Sequence, residues 1–432
     1  VRDVSIWRVL LGIDKAVIER VEFDEDAGSL IAHVRPRSRE RGRCGVCRRR
    51  SPGYDPGPGR RRWRSLDLGW IQAFVEAECP RVRCRDHGVV VSHVPWARHG
   101  AGHTRVFDDQ VAWLATRSSK TTVVELMRIA WRTVGAIISR VWADAEGKQD
   151  RFEGLRRIGI DEISFKLGHK YLMVVVDHDT RQLVWAGEGR DKKAVGEFFD
   201  LLGEDRCQLI THVSADGADF IDSIVAQRCP NAVRVADPFH VVKWATEALD
   251  EVRRQSWNQA RAQARSEPQR SIGRPRKDAP PRPACERAKA LKGARYSLWK
   301  NPENLTENQQ VKLEWIAKTD PRLHRAYLLK EGLRVVFQLP YDAAVDALEK
   351  WLSWARRCQI PAFVKLSKTI VKHRDRILAA IKHNLSNGLI ESTNTKIRLI
   401  TRVAFGFHTA QPLIAMAMLT LGGHRPTLPG RQ

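Results

Sequence analysis

Arg157-Ile-Gly-Ile-Asp-Glu-Ile163, Tyr171-Leu-Met-Val-Val-Val176 and Leu183-Val-Trp-Ala186 are three short apolar runs set close together in a chain of 432 residues. Runs of this length read as strands. A helical period takes over at Lys193–Leu202. It is followed by the strand Leu209–Ser214, the helix Asp219–Gln227, the strand Val233–Val235 and a helix beginning near Val241. Hairpin-connected strands followed by alternating helices and strands predict a mixed sheet with helices on its faces.

This order of elements is the ribonuclease-H-like one, in which the first and fourth strands are neighbours. Asp161 closes Ile158-Gly-Ile-Asp161 and Asp216 closes Val213-Ser-Ala-Asp216, so both carboxylates are expected to emerge side by side. Glu391 stands on a late helix in Asn387-Gly-Leu-Ile-Glu391-Ser-Thr-Asn394, followed by Lys396, Arg398 and Arg402 as candidate DNA contacts. Three clustered carboxylates can hold two Mg²⁺ (or Mn²⁺) ions ~4 Å apart, one at an attacking and one at a leaving oxygen. Other acids read differently. Glu162 points to the opposite face of its strand, Asp177 and Asp179 follow a strand as turn residues, and Asp219 is expected as a helix N-cap. Asp237-Pro-Phe-His240 closes the fifth strand near the same edge. Asp237 and His240 are auxiliary candidates that orient a catalytic group, bind DNA, or make only a structural hydrogen bond.

Upstream, Cys44-Gly-Val-Cys47 and Cys84-Arg-Asp-His87 form two tight pairs. Zn²⁺ takes four such ligands in a tetrahedron, and a small polar zone needs a staple to fold. Cys79 could replace Cys84 or His87, and His93, His99 and His103 lie nearby. Between this zone and the sheet, Phe107–Thr116, Thr121–Ile129 and Thr133–Ala145 have helical periodicity. Val123, Val124, Leu126 and Met127 are expected to line one helix, and Val134, Ile137, Ile138 and Val141 the next. That spacing suits a helix-turn-helix with Arg128, Arg132 and Arg140 on its outer faces.

Composition agrees with a DNA partner. Lys and Arg number 74 against 50 acids, for a net charge of +24, and the pI is about 10.1. Twelve arginines crowd Arg35–Arg64 against Glu40 and Asp55, and fourteen basic residues crowd Glu251–Lys300 against four acids. Such clusters are the electrostatic footprint of nucleic-acid binding. Within the second, Gly273-Arg-Pro-Arg276-Lys277 resembles an AT-hook, whose Arg274 and Arg276 would enter a narrow minor groove. No membrane is expected, because the apolar stretches Tyr171–Val176 and Leu413–Leu421 fall short of the ~20 residues a spanning helix needs. Arg2 and Asp3 lead into no long apolar core, so no signal peptide is expected, and eight cysteines without one fit reduced thiols in a cytoplasm. The chain opens on Val1, which reads either as a non-AUG start or as a few missing residues.

Gly159-Ile-Asp161-Glu162, Ala215-Asp216-Gly217, Asp237-Pro-Phe-His240 and Asn387-Gly388 through Asn394, with the Cys44/Cys47/Cys84/His87 pairs upstream, resemble the bacterial insertion-sequence transposases of the ISL-three family. The resemblance covers about residue 40 to 424. It implies Asp161, Asp216 and Glu391 as a DDE triad, cleavage at inverted terminal repeats, strand transfer into target DNA, and action as a homo-oligomer on double-stranded DNA near the nucleoid. The expected organisation is multidomain α/β. An N-terminal zone spans 1–100 with a zinc finger at about 42–90, and a helix-turn-helix spans 104–146. A ribonuclease-H-like core at 155–245 and 376–424 is split by a helical basic insertion at 246–375. The rival from another class is a non-catalytic zinc and helix-turn-helix regulator, which would have no need of three acids so placed. A plain ribonuclease H or junction nuclease would leave the N-terminal zones idle.

Overall fold

The computed structural model describes residues 3–148, 150–215, 219–267 and 282–430. The chain begins with α1 (Asp3–Leu10), β1 (Ala16–Asp24), β2 (Ser29–Pro36), β3 (Gly53–Asp55), β4 (Arg60–Arg64), β5 (Gln72–Glu78), β6 (Arg81–Cys84) and β7 (Gly88–Val91). They form two sheets, ordered β1-β2-β5-β4 and β3-β6-β7. The alternating apolar stretches Ser29–Val34 and Ile71–Ala77 lie in β2 and β5, which pair in parallel. β4 escapes a hydropathy reading because it is Arg-Arg-Arg-Trp-Arg. Its Trp63 is buried in the core, while Arg60 and Arg62 reach across the ladder to Glu76 at 2.8 and 2.6 Å. Cross-strand ion pairing lets a basic segment hold a sheet position.

Three helices follow: α2 (Arg105–Ala115), α3 (Lys120–Met127) and α4 (Trp131–Glu146). Thr104 and Ser119 cap the first two through their side chains, satisfying N–H groups that a helix start leaves unpaired. Val123, Met127, Val134, Ile137, Ile138 and Val141 are buried as the spacing requires, but Leu126 is exposed.

The central sheet runs β8 (Arg157–Lys166), β9 (Lys170–Asp177), β10 (Leu183–Glu188), then α5 (Lys192–Leu202), α6 (Glu204–Cys207), β11 (His212–Ala215), α7 (Asp219–Arg228) and β12 (Val233–Val235). Its order is β10-β9-β8-β11-β12. β8, β9 and β10 are antiparallel, and β11 lies parallel between β8 and β12. Two corrections apply. β8 does not end at Asp161 but continues to Lys166, because β9 pairs with it along that length. The fourth strand begins at His212, the short helix α6 standing before it. Asp219 opens α7 as its first residue.

Side-chain alternation sorts the two faces of this sheet. Ile158, Ile160, Met173 and Val175 pack with α5 and α7. Ile163, Leu172, Val174 and Val176 pack on the other side, in one continuous core with α2, α3, α4 and two C-terminal helices.

The remainder is helical: α8 (Pro238–Ser266), α9 (Pro283–Lys292), α10 (Arg295–Trp299), α11 (Glu307–Thr319), α12 (Pro321–Val336), α13 (Tyr341–Arg357), α14 (Pro361–Lys372), α15 (Arg374–His383), α16 (Gly388–Val403) and α17 (Ala410–Leu421). α8 to α15 share a separate core that includes Leu249, Leu323, Trp351 and Phe363. α8 runs unbroken through residue 245 and α15 through residue 375. α16 returns to lie on β8 and β9, and α17 packs on α4 and β10. Among the described residues, no helix is long and apolar enough to cross a membrane.

Candidate functional site

Asp161 sits on the central strand at a change of neighbours. The β8–β11 ladder ends at the pair Ile160 and Ala215, so Asp161 is the first residue past it, still paired to Val174 on β9. Alternation turns it away from Ile160, toward the face carrying α16. There, Asn394 Nδ2 of α16 donates to Asp161 Oδ2 at 2.8 Å. Asp216, the next residue after Ala215, lies outside the described residues, as do Arg274 and Arg276.

Glu391 is exposed in the first turn of α16. Its carboxylate makes no ion pair or hydrogen bond among the described residues, although the chain is strongly basic. It lies instead in a cluster with Asp237 and His240, whose candidate ligand atoms are all within 4.8 Å of one another. Asp237 caps α8. It accepts from His240 N at 3.1 Å and pairs with the His240 ring Nδ1 at 2.8 Å, while its other oxygen accepts from Asn387 N at 3.0 Å. Burial pushes the Asp237 carboxyl up, but the hydrogen bonds from His240 and the Asn387 N–H outweigh it and hold the group below its ordinary value. One buried acid therefore fastens the start of α8 to the start of α16.

The acid cluster suits a hard divalent cation: its donors are carboxylate oxygens and one imidazole. Two buried amide oxygens, Asn387 Oδ1 and Asn394 Oδ1, have no hydrogen-bond partner among the described residues, and both stand beside these acids. The motif around Glu391 does not by itself reveal a role for Asn394. The available signal was a polar residue three positions after Glu391, on a helix whose apolar face is buried.

Of the other acids, Glu162 is exposed near Arg190, with 3.9 Å between them. Asp177 accepts from the backbone of Asp179 and Thr180, a turn motif. The side chain of Asp219 is outside the described residues.

In the N-terminal zone, Cys44, Cys47, Cys84 and His87 form the second group able to hold a metal. Cys47 Sγ lies 3.6 Å from Cys84 Sγ, and His87 Nδ1 lies 3.6 Å from Cys84 Sγ and 3.8 Å from Cys44 Sγ. A tetrahedral site with bonds of ~2.3 Å to sulfur has edges of about 3.8 Å, so the donor set fits zinc. Val46 N donates to Cys44 Sγ at 3.4 Å, and Arg49 binds Asp86 at 2.7 Å, joining the two knuckles. The His87 ring and neighbouring backbone N–H groups lower the Cys84 thiol to about 6, favouring the thiolate a metal requires. Cys79 is buried in the apolar core, where burial pushes its thiol up. Neither it nor His93, His99 or His103 belongs to this cluster.

The candidate DNA contacts divide. Arg132, Lys396, Arg398 and Arg402 are exposed. Arg140 is turned inward: its guanidinium binds both oxygens of the fully buried Asp108, at 3.0 and 3.2 Å.

Three family models match the chain in order. They are described as a zinc-finger of transposase IS204/IS1001/IS1096/IS1165 over residues 40–87, a helix-turn-helix domain of transposase family ISL3 over 92–142, and a DDE-type ISL3 transposase over 158–417. The chain is 63% identical over 435 residues to the transposase for insertion sequence element IS1557 of Mycobacterium tuberculosis, covering 100% of this chain and 98% of that protein. It is 26% identical over 394 residues to the transposase for insertion sequence element IS1001 of Bordetella parapertussis, covering 90% and 91%. With a Cys/His knuckle, three helices and an acid-bearing sheet in the same order, this chain belongs to the ISL3 family of insertion-sequence transposases.

Proposed function

We propose that this transposase cuts and joins DNA at a centre formed by Asp161, Asp216 and Glu391 on a ribonuclease-H-like core. The observation that carries the reading is the Asn394–Asp161 hydrogen bond of 2.8 Å, which ties the helix of Glu391 to the central strand. The pairing of Ala215 with Ile160 supports Asp216 as the second acid. These three carboxylates would hold Mg²⁺ or Mn²⁺, which when bound supplies Lewis-acid activation of an attacking oxygen and neutralises charge at the leaving one. Asn394 orients Asp161, and Asp237 keeps the His240 ring turned to Glu391, where it can meet a DNA phosphate.

In this reading Zn²⁺ is held by Cys44, Cys47, Cys84 and His87. The zone 1–100 and the helix-turn-helix of 104–146 grip the terminal inverted repeats. Segments 155–245 and 376–424 make the core, and 246–375 is a basic helical insertion carrying Arg274 and Arg276. Arg132, Lys396, Arg398 and Arg402 meet the DNA backbone. The protein works in the cytoplasm, as a homo-oligomer bridging two DNA ends. The family match over 158–417 favours this over a non-catalytic regulator. The test is cleavage of a duplex carrying the element's end, with Mg²⁺ or EDTA, for wild type and Glu391→Gln. Metal-dependent nicking at the repeat boundary, absent in the variant, is expected. Specific binding by wild type with no cutting under any metal would move the assignment to the regulator.

A further inference from the structure

Lys120 is the first residue of α3, and it is 5% exposed. A lysine is rarely so buried without a partner, and a cation at a helix N-terminus opposes the helix dipole. Among the described residues Lys120 takes part in no ion pair or side-chain hydrogen bond. Its Nζ lies 4.1 Å from the ring centre of Phe407 and 5.2 Å from that of Trp131. Burial accordingly lowers its pKa.

The ammonium borders a cavity of about 430 Å³, lined also by Arg132, Gly135, His408, Thr409 and Pro412. The cavity is built from two regions far apart in sequence. One wall is the start of α4 and the other is the start of α17, and neither helix has a side-chain cap at its N-terminus. Uncapped N-termini present N–H groups and positive dipole ends. The helices are close here, since a Cβ on Gly135 would lie 3.5 Å from Pro412. Phe405 has φ 53 and Gly406 φ 92, which reverses the chain after α16 and returns Phe407 beneath the lysine. Exposed Arg132 and His408 stand at the rim, and Arg398 and Arg402 are exposed on α16, the helix that leads into this corner. Among the described residues that line this space there is no acid.

We propose that the cavity is an anion site that seats one DNA backbone phosphate, clamped between the helix-turn-helix and the α16–α17 corner, with Lys120 as its central ligand. The aromatic rings hold the lysine ammonium in place, and the two helix ends complete the cradle. A phosphate seated there joins the DNA-reading helices to the helix that bears Glu391, so end binding and placement of the acid become one event. The inference rests on the chain binding DNA, as proposed above, but not on which acids catalyse.

The experiment compares full-length wild type with Lys120→Met, which keeps the volume and removes the charge. Binding is measured to a duplex carrying the element's end across a range of salt, and melting is measured with and without inorganic phosphate. The variant is expected to bind about tenfold more weakly, with the slope of log K against log salt reduced by about one, the signature of one lost phosphate contact. Its melting temperature without phosphate should equal or exceed that of wild type, because a buried unpaired charge is removed. Phosphate should raise the melting temperature of wild type more than that of the variant. Arg132→Gln, an exposed change with little influence on folding, should also reduce the slope. A slope unchanged in Lys120→Met overturns the assignment, and if the phosphate effect alone is lost the site takes a free anion rather than DNA. A melting temperature that falls sharply gives Lys120 a structural role and overturns it as well. Wild type that binds no duplex would instead sink the DNA reading itself.

Discussion

Asn394 on α16 donates a hydrogen bond of 2.8 Å to Asp161 on β8, spanning 233 positions of sequence. Asn394 is 3% exposed, so the bond is sheltered from water. It orients one carboxylate oxygen of Asp161 and fixes the height of α16 on the sheet. On the proposal that Asp161 holds metal, Asn394→Ala should therefore lower cleavage by about 10–100-fold, the usual effect of losing a group that orients such a ligand. Affinity for the DNA end should stay within a few-fold. A variant that cleaves normally would show that α16 finds its place without this bond.

The cysteines allow a paired test. If the knuckle holds zinc as proposed, Cys44→Ser should release it and weaken binding to the DNA end, because the basic segment around the knuckle loses its staple. Cys79→Ser should retain one zinc per chain, since that thiol lies in the core and outside the cluster. Zinc content by elemental analysis decides between them. Loss of zinc from the Cys79 variant alone would reverse the ligand assignment.

Arg140 is held by a buried acid rather than offered to DNA. Asp108 is fully buried and meets Arg140 at 3.0 Å and Arg98 at 3.6 Å. Removing one partner from such a group leaves uncompensated charge and costs about 3–5 kcal/mol. Asp108→Ala is expected to lose stability of that order in urea unfolding. Arg140→Gln should lower stability more than it lowers the salt dependence of DNA binding. The opposite pattern would restore Arg140 as a DNA contact.

Acid should loosen the junction of the sheet with α15. Asp222 lies between Arg234 at 2.8 Å and Arg376 at 2.5 Å. Burial pushes its carboxyl up, but the two guanidinium groups prevail and hold it below the ordinary value. With the folded pKa below the unfolded one, its contribution is complete above about pH 4 and fades as pH falls through the folded value. Thermal melts of wild type and Asp222→Asn should differ most near neutrality and converge as the pH falls below about 4. A difference that stays constant with pH would remove the ion pairs as its cause.

Much of this protein follows from sequence alone, where the deciding information is local. The apolar runs at 158–163, 171–176 and 183–186 became adjacent strands because hydropathy period and turn spacing are read within a few residues. The knuckles Cys44/Cys47 and Cys84/His87 met because metal geometry constrains short spacings. The ordered motifs from Asp161 to Asn394 carried the family. β4 was hidden, since its arginines are stabilised by Glu76 on another strand, which composition does not reveal.

Tertiary packing decided the rest. It grouped Glu391 with Asp237 and His240, turned Arg140 onto Asp108, and made the helix-turn-helix part of the sheet's own core through α17. It also buried Lys120 against Phe407, 287 positions away, with no acid paired to it among the described residues. A charge is paired, exposed or left facing a cavity according to which helix faces meet, and that depends on ridges, loop reversals and small residues distant in the chain. Residue type supplied the charges of this transposase; the fold decided which of them remain for DNA and metal.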